Sequence, residues 1–140
     1  MRKQIKNAIK NGMPVVAECG GFMYLHSVIR DKTGISYPMV GVLPDTCFYT
    51  GKLVRFGYIE LKEKQTYFLN GEMIKGHEFH YYDSTNNSID IIAKKPTTKR
   101  EYSCIIENET QWMGFPHLYY PSNPIFVKSL VEKAEKYKNF

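Results

Sequence analysis

The stretch Pro14-Val15-Val16-Ala17-Glu18-Cys19-Gly20-Gly21 constrains this chain more than any other. Residues suited to a short buried strand end on a cysteine, and two glycines follow at once. Such a pattern predicts a strand that runs through a sharp turn straight into a helix, with Cys19 on the turn. Small neighbours suit a tight bend. The turn throws Cys19 outward at the C-terminal edge of a sheet, where open α/β sheets place their ligands. The Gly20 N–H then points where an oxyanion would form, and the start of the next helix is expected to lower the thiol pKa. A buried structural cysteine before a glycine turn would give the same local sequence, so the turn alone leaves both readings open.

The flanks set the fold class. Ile5, Ala8 and Ile9 predict a helix over residues 1–10, which Asn11-Gly12 stops. Phe22, Leu25 and Ile29 predict a second helix over Phe22–Ile29. Helix, short strand, tight turn and helix make the rhythm of an α/β protein with a parallel sheet. After Gly34, strand-like runs follow at Met39–Leu43, Leu53–Leu61, Thr66–Leu69, Met73–Tyr82, Ile89–Ala93 and Tyr102–Glu107. Asn70-Gly71 is a hairpin cue. Ser122–Tyr137 reads as a terminal helix, with Ser122 as its cap and Pro124 in its first turn. The 140 residues suggest one domain, 1–140. An α/β domain should have parallel strands ahead of the Cys19 turn, and a chain that opens on a helix reads as truncated at its N-terminus.

Charge and cysteine usage narrow the function classes. The net charge is +5, but the lysines are scattered and no clustered basic and aromatic motif marks a nucleic-acid site. No apolar run approaches the roughly 20 residues of a membrane span, and no long apolar core follows the basic N-terminus, so a cytoplasmic protein is expected. The three cysteines, Cys19, Cys47 and Cys104, fit neither a disulfide framework nor a zinc pattern. Cys47 and Cys104 read as core or surface thiols.

A nucleophilic thiol needs a base within hydrogen-bond reach. Among the four histidines, His26 is expected on the surface of the helix after the turn, too far along to reach back. In a strand, His77 and His80 would lie on opposite faces, which argues against a shared metal site. His117, in a loop before the terminal helix, can fold back toward Cys19 and is the best base on chain organisation. A half-buried structural histidine remains the alternative at that position.

Three segments in order carry a family resemblance: Gly12–Leu25, Lys75-Gly76-His77-Glu78-Phe79-His80-Tyr81, and His117-Leu118-Tyr119-Tyr120-Pro121-Ser122-Asn123-Pro124. Tyr37–Pro44 and Phe56-Gly57-Tyr58 fit as well. Together they resemble the class I glutamine amidotransferase domain of the cobyrinic acid a,c-diamide synthases and of the related nickel-sirohydrochlorin enzymes. The resemblance implies a flavodoxin-like α/β glutaminase fold. It implies Cys19 as nucleophile and His117 as base, with Gly20 and Gly21 at the oxyanion and substrate site. His77, Glu78 and His80 match a strongly patterned segment and are expected to support the site.

The implied partners are glutamine and a tetrapyrrole held by an ATP- and magnesium-dependent synthetase domain or subunit. No cofactor is expected in this chain, which has no Gly-rich phosphate loop. A homodimer, through sheet edges left open, is a further expectation. Many relatives of this class carry a glutamate two residues after the histidine. That position is Tyr119 here, so the resemblance implies a Cys–His dyad without its orienting carboxylate. A non-catalytic remnant or interaction subunit of the same fold, and a small anion- or nucleic-acid-binding domain using the positive charge, are the competing readings.

Overall fold

The computed structural model describes residues 1–138, so the final two residues of the predicted domain lie outside the described ones. Helix α1 (Arg2–Lys10) buries Ile9 and ends at Gly12, whose φ of +90° suits glycine. Strand β1 (Val15–Glu18) leads through Cys19 into α2 (Gly20–Leu25). The predicted second helix is cut short. At His26 the backbone turns extended, with φ −63° and ψ 165°, and β2 (His26–Arg30) begins. The reason is a side-chain lock: His26 Nδ1–H donates to the Phe22 carbonyl at 2.8 Å, and Nε2 meets the Ser84 hydroxyl at 2.7 Å. His26 is therefore fully buried rather than on the surface, and burial holds its pKa below the usual histidine range.

The remaining strands are β3 (Ser36–Pro38), β4 (Leu43–Tyr49), β5 (Arg55–Glu63), β6 (Met73–His80), β7 (Tyr82–Ser84), β8 (Ile91–Lys94), β9 (Glu101–Glu107), β10 (Gln111–Gly114) and β11 (His117–Leu118). The expected strand at 39–43 is mostly connection, because the pairing register starts at Leu43. A seven-stranded sheet runs β1-β10-β9-β8-β5-β6-β11, and a four-stranded sheet runs β3-β2-β4-β7. The expected parallel pairing is found at β1–β10 and β2–β4; the other ladders are antiparallel. Hairpin-length connections between successive strands favour antiparallel neighbours, since parallel ones need long crossovers.

The seven-stranded sheet separates two cores. Along β10 the period of two sends Trp112 to one face and Met113 to the other. Trp112 packs with Phe68 and with Phe126 of the terminal helix α3 (Pro124–Lys138). Met113 packs in the second cluster with Ile9 of α1, Phe22 and Leu25 of α2, Cys47 of β4 and Phe115. Helix α3 is capped by Asn123 rather than by Ser122: Asn123 Oδ1 accepts the Ile125 N–H at 3.0 Å. Ser122 instead accepts the Lys75 N–H and donates to the Tyr119 carbonyl, tying the helix start to β6. No described helix is long and apolar enough to cross a membrane.

The expected strand at Thr66–Leu69 is a turn segment, and a carboxylate explains it. Glu63 is buried and accepts the backbone N–H groups of Tyr67, Phe68, Leu69 and Gly71. Those groups, which a strand would have paired with another strand, converge on one side chain instead. Phe68 and Leu69 are thereby pressed into the core. Asn70 and Gly71 both have positive φ, as the hairpin cue requires.

Beside Glu63, Glu107 is buried with Oε1 lacking any hydrogen-bond partner. Burial pushes its carboxyl up to about 9, and a shared proton with Glu63 adds to the shift. A carboxyl with a raised folded-state pKa binds its proton more tightly when folded. Its contribution to stability is therefore complete below the ordinary value of 4.5 and is lost as pH rises toward 9. Glu107→Gln, a neutral mimic of the protonated acid, is expected to flatten the fall of unfolding free energy between those limits. Urea titrations at stepped pH read that slope directly.

Candidate active site

Cys19 sits where β1 ends, at φ 46° and ψ −107°, a left-handed backbone that costs a non-glycine residue on the order of 1–3 kcal/mol. Two hydrogen bonds hold the turn. The Cys19 N–H donates to the Gly114 carbonyl at 2.8 Å, and the Cys19 carbonyl accepts the Met23 N–H at 2.9 Å. Gly114, which supplies the first of these carbonyls, is itself wedged against β9, where only glycine fits. A Cβ there would lie 2.6 Å from the Cys104 carbonyl oxygen and 2.6 Å from Ile105. Gly21 faces Ala17 at ordinary contact distance, whereas Gly20 opens onto free space, where a side chain would crowd only an incoming ligand.

The thiol is half-buried. Burial pushes the Cys19 pKa up, the neighbouring Glu18 carboxylate adds to the rise, and the Gly20 N–H only partly offsets them. The lowering expected at Cys19 thus gives way to a rise, because desolvation outweighs the one N–H at the start of α2. A cavity of about 450 Å³ opens beside the sulfur, lined by Cys19, Met23, Tyr49, Phe79, His80, Tyr81 and Tyr82. Burial also holds the Cys47 thiol up at about 12, and Cys104 is buried with a raised pKa. Both pack in the cores, as core thiols should.

His117 lies on β11, a two-residue strand rather than the expected loop. β11 pairs with β6, setting His117 opposite His77 and Leu118 opposite Gly76. The His117 side chain is half exposed, and its Nδ1 stands 3.7 Å from Glu18 Oε2. The Tyr120 hydroxyl donates to the other Glu18 oxygen. The base candidate and the residue next to the nucleophile are thus brought together across 99 positions of sequence, from 18 to 117.

The patterned segment of β6 divides as its strand alternation requires. His77 faces outward between Phe56 and Tyr58, at 5.6 and 5.3 Å between ring centroids. Glu78 and His80 point inward and are buried. Glu78 accepts the Tyr102 hydroxyl, and lies 3.4 Å from His80 Nε2 and 3.9 Å from Arg55 Nε. The Arg55 guanidinium covers the Tyr102 ring at 3.9 Å. His80 donates from Nδ1 to the Tyr82 carbonyl at 2.7 Å and stacks on Phe115 at 4.1 Å. This buried charge group fixes the wall of the cavity that holds Cys19.

Three residues of this site escape a sequence reading. Glu18 looks like the polar end of a strand, and Gly114 and Gly76 look like ordinary strand glycines. A Cβ at Gly76 would lie 2.8 Å from the His117 carbonyl oxygen, so the glycine is what lets β11 approach β6. A glycine inside a strand pattern is the one available signal, since it often marks a close backbone approach. Gly76→Ala is expected to push β11 outward and cost about 1–3 kcal/mol of unfolding free energy. The Tyr119 amide, which donates to the Lys75 carbonyl at 2.8 Å, should then exchange its hydrogen faster than in the parent chain.

Comparison with known proteins places this geometry. The CobB/CobQ-like glutamine amidotransferase domain family matches residues 1–119. A cobyrinate a,c-diamide synthase of Caldanaerobacter subterraneus subsp. tengcongensis is 36% identical over 141 aligned residues, covering 98% of this chain and 31% of the relative. The Salmonella typhimurium protein of the same name is 40% identical over 142 residues, covering 97% of the chain and 31% of the relative. That of Thermoplasma volcanium is 34% identical, with 97% and 30% covered. The chain spans about three tenths of the length of the curated relatives it matches.

Proposed function

The chain belongs to the CobB/CobQ-like glutamine amidotransferase family, with its class I, flavodoxin-like α/β fold, and on that premise we propose that it is the glutamine-hydrolysing part of a cobyrinate a,c-diamide synthase. The observation that carries the reading is Cys19 on a strained turn at the end of β1, opening into a cavity, with His117 drawn to Glu18, the residue next to Cys19 in the chain.

The chemistry follows from the atoms available. The Cys19 thiol gives its proton to His117, and the sulfur attacks the carboxamide carbon of glutamine. The carbonyl oxygen becomes an oxyanion, for which the Gly20 N–H is the assigned donor; the open space at Gly20 leaves room for it. His117 returns the proton to the leaving nitrogen, the C–N bond breaks, and ammonia departs. A water then attacks the γ-glutamyl thioester, the C–S bond breaks, and glutamate leaves with the thiol restored. Because burial raises the Cys19 pKa, the resting form at neutral pH is the thiol, and proton transfer to His117 accompanies attack.

The ammonia would serve amide formation on a tetrapyrrole, which supports the cobyrinate reading through the names of the relatives. ATP and magnesium are assigned, as the resemblance implies, to a synthetase domain or subunit, as is the binding of the macrocycle.

Release of glutamate and ammonia from glutamine tests the proposal. Cys19→Ala is expected to abolish it, and His117→Ala to lower kcat by about 10²–10⁴-fold. A glutamine-like electrophile should add one adduct to the parent chain, seen by intact mass, and none to Cys19→Ala. A folded parent chain that takes no adduct, with or without its synthetase partner, would sink the reading.

A further inference from the structure

We propose that Glu18 is the positioning carboxylate for His117, replacing the acid that the chain lacks two residues after the histidine. This rests on the reading of Cys19 and His117 as nucleophile and base. Tyr119, which occupies the expected acid position, is 60% exposed, and its backbone N–H is committed to Lys75. Glu18 does what Tyr119 cannot. Its carboxylate is largely buried, with one oxygen fixed by the Tyr120 hydroxyl and the other 3.7 Å from His117 Nδ1. That pairing favours the tautomer with the proton on Nδ1, so the Nε2 lone pair is the one free to accept the thiol proton.

The charge arithmetic points the same way. When the thiol proton moves to Nε2, His117 becomes an imidazolium with Nδ1–H facing the Glu18 carboxylate, an attraction that grows along the reaction. Glu18 at the same time disfavours a free thiolate at the adjacent Cys19, so it ties ionisation of the thiol to protonation of the base. The other titratable groups at this pair are Cys19 beside Glu18, Tyr120 from the turn before α3, and His77 opposite His117 on β6, while His80 and Tyr82 line the cavity beside Cys19. The Tyr120 hydroxyl is held protonated by burial and by its bond to Glu18, and so stays a donor. No other carboxylate is recorded within 4 Å of His117 among the described residues.

Glu18→Gln keeps the shape and an acceptor for Tyr120 but removes the charge. Two readouts are expected. Glutamine hydrolysis falls by about 10- to 1,000-fold in kcat with KM little changed. In ring ¹H–¹⁵N correlation spectra, neutral His117 shifts from the Nδ1–H to the Nε2–H form. Tyr120→Phe, which frees only the second Glu18 oxygen, should give a smaller change in the same direction. An unchanged tautomer for His117 in folded Glu18→Gln would overturn the proposal. The spectra need no turnover, so they decide the role of Glu18 even for a chain that fails to hydrolyse glutamine.

Discussion

The structure depends on one parallel pairing, β1 against β10. It runs in register from Val15 opposite Gln111 to Glu18 opposite Gly114, and its last bond carries the Cys19 N–H to the Gly114 carbonyl. A positive φ on a cysteine persists only where the surroundings over-determine it. Here the strand on one side and the first turn of α2 on the other supply that constraint. Gly114 is part of the same device, since any side chain there would strike the β9 backbone. The placing of Cys19 on the turn therefore rests on packing well away from its sulfur.

The second half of the site comes from the opposite end of the sheet order. β11 is the last strand of the seven and β1 the first, yet His117 and Glu18 meet. The short connection from β10 through Phe115 and Pro116 bridges them, with Phe115 buried between Phe22 and His80. The aromatic contact to His80 also links the cavity wall to the buried Glu78, Arg55 and Tyr102 group. Removing one member of such a group leaves a buried charge uncompensated, and this gives the patterned β6 segment a physical reason beyond any chemical role.

Several elements were legible before any coordinates. The β1 turn, α1 and the terminal helix follow from hydrophobic period and local turn chemistry, and the opposite facing of His77 and His80 follows from strand alternation. Three misreadings share one cause, a side-chain hydrogen bond that hydrophobic period does not register. His26 stopped α2 by bonding to Phe22 and to Ser84, which is 58 positions away. Glu63 turned an apparent strand at 66–69 into a folded loop. Asn123 took the cap expected of Ser122, because Ser122 was occupied by Lys75 of β6, 47 positions away. Ser84 and Lys75 lie outside any local window around the residues they meet.

The amino-acid sequence by itself determined the Cys19 turn and, through its ordered motifs, the family, because both reside in contiguous residue patterns. Tertiary structure alone decided the ionisation of the thiol, through burial that outweighs a short helix, and the meeting of Glu18 with His117. Those are matters of distance and dielectric, which are set by how strands far apart in sequence pack and not by any neighbouring residue.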